Sequence, residues 1–151
     1  MGIKIVAQNK KASFQYYIEE TIEAGLVLLG SEVKSIRDGR ASLSDSYAVI
    51  KKNEAYIVNS HIAQCPQASY MNHDPKRTRK LLLHRMQIRR LTGKLTQKGF
   101  TLIPIKLYFK EGRAKVELGL CRGKKLFDKR EAIKKKETRR ELARAFRHKQ
   151  R

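Results

Sequence analysis

Tryptophan is absent, and the 151 residues hold only three prolines and two cysteines. Cys65 and Cys121 stand apart from each other, without the C-x-x-C spacing of a zinc ribbon or a redox pair, and read as reduced thiols of a cytoplasmic protein. No apolar run approaches the ~20 residues needed to cross a bilayer. The opening MGIKIVAQNKKASF has no signal-peptide core, and Val6 stands where myristoylation would require Ser or Thr. P-loop, GxGxxG, GxSxG and HExxH motifs are all missing, which removes the usual signatures of phosphate, dinucleotide, acyl-transfer and zinc-hydrolase chemistry. His61, His73, His84 and His148 are scattered; His61 and Cys65 lie four apart, but a zinc site needs more ligands than that pair. No cofactor and no metal are expected.

Acids are scarce too: 14 against 35 Lys and Arg, a formal net charge of +21. The surplus is concentrated in residues 123–151, GKKLFDKREAIKKKETRRELARAFRHKQR, with thirteen bases and four acids. Such a stretch buries too little apolar surface to offset the entropy of its own ordering. Yet it contains neither Pro nor Gly after Gly123, and it is rich in good helix formers. It reads as a tail, disordered when free, that becomes helical on a polyanion. The preceding 1–122 keep twenty-two bases and ten acids, so the body is basic as well. Nucleic acid, rather than a membrane surface, is the expected partner.

Within the body, short apolar stretches dominate. Phe14, Tyr16 and Ile18 alternate with polar residues in a strand-like period of two. Residues 25–29, GLVLL, read as a short strand buried on both faces, followed by a two-turn helix with Ser31 as N-cap and Gly39 as stop. Two hairpins are expected, 47–50 with 55–58 and 101–110 with 113–121, the second turning at Glu111-Gly112. Between them Asp74-Pro75 reads as a helix start, the helix running to about Gln97 with a break near Leu83-His84. Strands in this number suggest a small antiparallel barrel with short helices, an α+β chain that is mainly β; a two-layer sheet would give nearly the same pattern.

Nine bases stud the central segment: Lys76, Arg77, Arg79, Lys80, Arg85, Arg89, Arg90, Lys94 and Lys98. Any one of them is most simply a solvated surface charge, but Asp74 is the only acid between Pro66 and Lys110, and a face made for solubility mixes signs. Tyr16, Tyr17 and Tyr56 are candidates for stacking on bases. The acids Glu19, Glu20 and Glu23 with His61 are the one constellation from which an RNA-processing enzyme could be built, although alternation on a strand separates Glu19 from Glu20. A small basic ribosomal or ribosome-assembly protein fits the composition equally well.

Four colinear segments carry a resemblance. They are NKKA at 9–12, YIEETIEAGLVLLGSEVKSIRDGRASLSDSYA at 17–48, DPKRTRKLLLHR at 74–85 and GKKLFDKR at 123–130. Together they resemble the signature segments of the small protein B (SmpB) family, the bacterial SsrA-binding proteins that partner transfer-messenger RNA (tmRNA) in trans-translation. The resemblance implies an oligonucleotide-binding (OB-type) antiparallel barrel with flanking helices over 1–122 and a basic tail over 123–151 that folds on the ribosome. It implies a non-enzymatic adaptor that holds the tRNA-like domain of tmRNA and brings it to the empty A site of a stalled ribosome. Elongation factor Tu carrying alanyl-tmRNA and the small-subunit rRNA are the further implied partners.

Carried over by position, the implied tmRNA contacts are Glu23, Leu82 and Lys115. Lys115 suits a phosphate and Leu82 an exposed base or sugar, whereas Glu23 can only accept hydrogen bonds from base edges or ribose hydroxyls. The implied decoding-centre residues are Gly123, Lys124, Lys125, Phe127, Asp128, Lys129 and Arg130. Many members of the family have His where this chain has Phe127. An aromatic plane for stacking is kept, while the hydrogen bond and the charge of an imidazole are lost.

Overall fold

A computed structural model describes residues 2–66, 72–97, 99–123 and 126–149. The chain begins with β1 (Lys4–Gln8), a single turn of helix α1 (Ala12–Gln15) and the long strand β2 (Tyr16–Leu26). Helix α2 (Gly30–Arg37) and strand β3 (Ala41–Ser42) lead to the hairpin β4 (Tyr47–Lys51) and β5 (Glu54–Val58). After β6 (His61–Ile62) come β7 (Arg79–Leu82), α3 (Arg85–Leu95), the long hairpin β8 (Phe100–Lys110) and β9 (Arg113–Gly123), and finally α4 (Leu126–Lys149).

The main sheet runs β1-β8-β4-β5-β7-β2-β9, and an additional β8–β9 pairing closes it. All its pairings are antiparallel, so the ring β8-β4-β5-β7-β2-β9 is a barrel with β1 added along β8. The expected barrel is what forms, and the two-layer sheet is not. A ring of strands leaves few free edges, which otherwise invite aggregation. Along β9, Val116, Leu118 and Leu120 point into the barrel with Leu102, Leu107, Ile57 and Leu81, while Lys115 and Glu117 alternate outward. At one end a smaller cluster of Ala12, Ile103 and Cys121 packs under α1.

Both hairpins turn where local chemistry demands it. Lys52 and Asn53 have φ of 52° and 60°, and Glu111 and Gly112 have φ of 53° and 75°. Two successive positive φ values match the right-handed twist of the flanking strands.

Elsewhere local pattern gives way to tertiary pairing. Phe14 belongs to α1, so the alternation begins only at Tyr16; a single helical turn is too short to leave a periodic signal. The run at 25–29 is not buried on both faces, because β2 ends at Leu26 and the chain leaves the barrel, exposing 44% of Val27 and 48% of Leu29. Leu29, not Ser31, is the N-cap of α2, and Glu32 reaches back to accept from the Leu29 N–H at 2.8 Å. No helix begins at Asp74-Pro75. The Asp74 carboxylate accepts from the Lys76 N–H at 3.0 Å in a turn, and 79–82 is a strand held between β5 and β2. Helix α3 begins only after His84, where the break was expected.

The tail also differs from an irregular chain: residues 126–149 form one helix. Uninterrupted helix formers without Pro or Gly account for it. The Lys136 ammonium lies 4.5 Å from the centre of the Phe14 ring, a cation–π contact that joins α4 to α1.

Candidate nucleic-acid interface

Three adjacent strands, β7, β2 and β9, end together at one rim of the barrel. Gly25 is the hinge of that arrangement, paired with Leu82 on one side and with Lys115 on the other. A Cβ at position 25 would stand 3.2 Å from the Leu82 Cβ, so the absence of a side chain is what lets β7 approach. Leu81 turns inward and is 1% exposed; Leu82, one residue on, turns outward and is 54% exposed. Leu82 is therefore a surface residue and not part of the core.

Glu23, Leu82 and Lys115 line one groove of ≈ 730 Å³, together with Leu26, Leu28, Val33, Phe109 and Arg113. The Tyr108 hydroxyl donates to Glu23 Oε2 at 2.5 Å, and Lys110 Nζ lies 3.6 Å from the same oxygen. The Tyr108 hydrogen bond, then the charges of Lys110 and Lys115, hold the Glu23 carboxyl below the usual carboxylate range against a partial cost of burial. Burial first, and the Glu23 carboxylate second, push the Tyr108 hydroxyl up, so it remains a donor at neutral pH. The groove thus offers a fixed anionic acceptor, an exposed apolar side chain and cations within a few strand spacings. Such a surface can accept from base amino groups or ribose hydroxyls, pack on a base and neutralise phosphate.

The central bases divide sharply. Arg79 is 0% exposed; its guanidinium donates to Glu32 Oε2 at 2.5 Å and to the Ser60 carbonyl and hydroxyl at 2.9 and 3.0 Å. Arg77 donates to Glu32 Oε1 at 2.7 Å. Both are structural, and Arg79 cannot reach a ligand. Lys80 pairs with Glu54 at 3.2 Å, and Arg90 pairs with Glu20. Arg85, Arg89 and Lys94 stay on the outside of α3 and Lys76 in the turn before β7, while Lys98 lies outside the described residues. Glu32 went unrecognised in the sequence, although its place three residues after the N-cap of α2 is a capping position.

The acids do not gather into a reaction centre. Glu19 pairs with Arg122 at 3.5 Å, Glu20 with Arg90, and Glu23 with Tyr108, while His61 sits on β6 in the separate β3–β6 sheet. Among the described residues no group of three or more His, Cys, Asp or Glu could hold a metal, and no helix is long and apolar enough to cross a membrane. Of the aromatic candidates, Tyr16 packs against the Ala12–Ile103–Cys121 cluster, Tyr56 donates to Glu54 at 2.5 Å, and Tyr17 is 46% exposed.

Gly123 pairs with Tyr16, at the opposite end of the β2–β9 ladder from Glu23 and Lys115. Lys124 and Lys125 lie outside the described residues. For Phe127, Asp128 and Lys129 the structure describes the helical backbone of α4, and Arg130 is exposed in its second turn.

The family model described as "SmpB protein" matches residues 6–148. The SsrA-binding protein of Geobacillus thermodenitrificans is 57% identical over 147 residues, spanning 97% of this chain and 95% of the relative. That of Geobacter sulfurreducens is 53% identical over 149 residues, spanning 99% and 97%. Among solved structures, a chain from "tmRNA-SmpB: a journey to the center of the bacterial ribosome" superposes with a TM-score of 0.68 at 50% identity, covering 83% of this chain and 92% of that one.

Proposed function

The chain belongs to the SmpB family, and from that membership we propose that it is a tmRNA-binding adaptor of trans-translation. The observation that carries the proposal is the single groove in which Glu23, Leu82 and Lys115 meet, although they lie far apart in sequence. The groove takes the tRNA-like domain of tmRNA: Lys115 on a phosphate, Leu82 against a base or sugar, Glu23 accepting from a base edge or ribose hydroxyl. The loaded RNA then travels with elongation factor Tu to the empty A site of a stalled ribosome, where body and RNA together imitate one tRNA. Residues 123–130 stand at the decoding centre, with Phe127 stacking on an rRNA base, and α4 occupies the vacant mRNA channel. A cationic helix and an mRNA strand compete for that space, so the tail senses whether message is present. The alanine and the tag-coding frame come with tmRNA and the peptidyl transfer belongs to the ribosome, so this chain acts by binding alone.

Sequencing the RNA that copurifies with the protein tests this reading. One structured RNA, tmRNA, should dominate and should be lost on combining Glu23→Ala with Leu82→Ala. Stoichiometric retention on non-stalled subunits after a salt wash, without tmRNA enrichment, would instead make it a ribosomal or assembly protein.

A further inference from the structure

A second groove, of ≈ 550 Å³, lies across Leu82 and Leu83 from the first, and these two residues line both. Its walls carry Lys52, Lys80, Arg85 and Arg89, with Glu54 the one acid. Glu54 is engaged by Lys80, at 3.2 Å. Lys52, Arg85 and Arg89 are exposed and enter no ion pair among the described residues. Arg85 and Arg89 are four apart on α3, a helix without a single acid, so they repel each other along one face. Lys52 faces them from the tight turn between β4 and β5. Three like charges face one groove whose one acid, Glu54, is already held by Lys80.

The strand register shows how the two grooves connect. Ala55 pairs with Leu81, Leu82 with Gly25, and Gly25 with Lys115, so β5, β7, β2 and β9 cross the barrel surface at nearly one level. At ~4.8 Å between neighbouring strands, the band from β5 to β9 is about 14 Å wide. Stacked nucleotides advance ~3.4 Å each along a strand, so that width covers about four of them. Leu82 forms the ridge in the middle, with cations on both flanks.

We propose that the RNA strand held at Glu23, Leu82 and Lys115 continues over the Leu82 ridge into this second groove, where Lys52, Arg85 and Arg89 take its phosphodiester groups. The inference rests on the RNA-binding reading above and extends the footprint from β9 to the β4–β5 turn. It also separates the bases of the central segment into two sets, since Arg77 and Arg79 build the fold whereas Arg85 and Arg89 hold ligand.

The test is a salt series of binding to the tRNA-like domain of tmRNA, with hydroxyl-radical mapping of the protected nucleotides. The variant is K52Q/R85Q/R89Q in the full chain, and all three side chains are exposed, so the core is untouched. The control, K4Q/K10Q/K34Q, removes the same charge at exposed sites outside both grooves. For single-stranded contacts the slope of log K against log salt changes by about 0.7 per phosphate, so the groove variant should flatten it by about two. Protection should vanish from nucleotides on one side only, leaving those that depend on Lys115. An unchanged slope while Lys115→Ala still weakens binding would overturn the second groove and leave the first intact. Equal flattening by the control would overturn it too, showing a diffuse field instead of contacts. Were the wild-type protein to show no preference for the tRNA-like domain, the functional reading would fall and this extension with it.

Discussion

Arg79 of β7 and Glu32 of α2 meet through an Nε–Oε2 hydrogen bond of 2.5 Å with both side chains 0% exposed. Arg77, one-third exposed, closes on the other carboxylate oxygen. The remaining Arg79 donors go to Ser60 and to the carbonyls of Asp74 and Pro75. A buried pair satisfied this fully fastens α2 and the turn before β7 to the barrel, and it fixes which face of β7 points outward. The position of Leu82 depends on it.

Burial pushes the Glu32 carboxyl up, but the hydrogen bonds from Arg77, the Leu29 N–H and Arg79, with the Arg79 charge, outweigh it and hold the group below the usual carboxylate range. A depressed carboxyl stabilises the fold above its unfolded pKa and loses that contribution as pH falls through the folded value. Glu32→Gln should therefore cost on the order of 3 kcal/mol at neutral pH, because it leaves Arg79 buried and uncompensated. The gap to wild type should narrow as pH falls into the acid range. Urea denaturation across a pH series checks both; a variant within about 0.5 kcal/mol of wild type at pH 7 would refute the assignment.

In the first groove, Lys115→Ala and Glu23→Ala should both weaken tmRNA binding but part company in salt. Losing Lys115 removes about one counterion from the slope. Losing Glu23 releases Lys110, its neighbour at 3.6 Å, so the slope should hold or steepen. Matching declines in slope would count against Glu23 as a base or ribose acceptor.

Truncation after Gly123 should leave a folded protein that still binds tmRNA, since the core and the groove residues precede the cut. Tagging of stalled products should disappear. Loss of tmRNA binding with an unchanged melting curve would show that the tail belongs to the RNA interface.

The tail helix can be probed at Ile133, which is 49% exposed and in the second turn of α4. Proline in a helix interior costs about 3 kcal/mol locally. Ile133→Pro should spare body stability and tmRNA affinity while sharply reducing tagging on ribosomes with an empty channel; Lys135→Arg should be mild. Cut away from Phe14 of α1, against which Lys136 rests in the whole chain, a peptide of residues 126–149 should lose most of this helix in low salt, since Lys136 with Arg140 and Glu137 with Glu141 repel at i,i+4. Circular dichroism with added polyanion should show helix appearing. Full helicity of the free peptide would mean that the tail arrives preformed.

What the sequence disclosed follows the range of the forces involved. Both hairpins were readable because their turns, residues 51–54 and Glu111-Gly112, declare themselves within a few residues between apolar stretches. Strand β7 was not: Asp74-Pro75 and the following bases look helical, and only pairing to Ala55 and Leu26, both distant, makes RKLL a strand. For the same reason Arg77 and Arg79 read only as two more charges of a basic, solvent-facing segment, since their partner Glu32 lies more than forty residues upstream. The convergence of Glu23, Leu82 and Lys115 came from family resemblance alone, because no spacing rule links residues that meet only when three strands end at one rim.

The β2–β9 ladder runs from Tyr16↔Gly123 to Gly25↔Lys115, nine residue steps along β2 and eight along β9, with a bulge between Ile18 and Glu20 taking up the difference. At ~3.3 Å per residue the eight regular steps make about 26 Å. The ladder is in effect a caliper: one jaw is the groove, the other the root of the tail, and their separation is set by a count of amino acids. Adding two residues to each strand would lengthen it by about 7 Å with every side chain on its proper face, whereas adding one to each would turn the faces over. A body lengthened in this way would keep its grip on RNA and its helix, yet deliver them to places that no longer match.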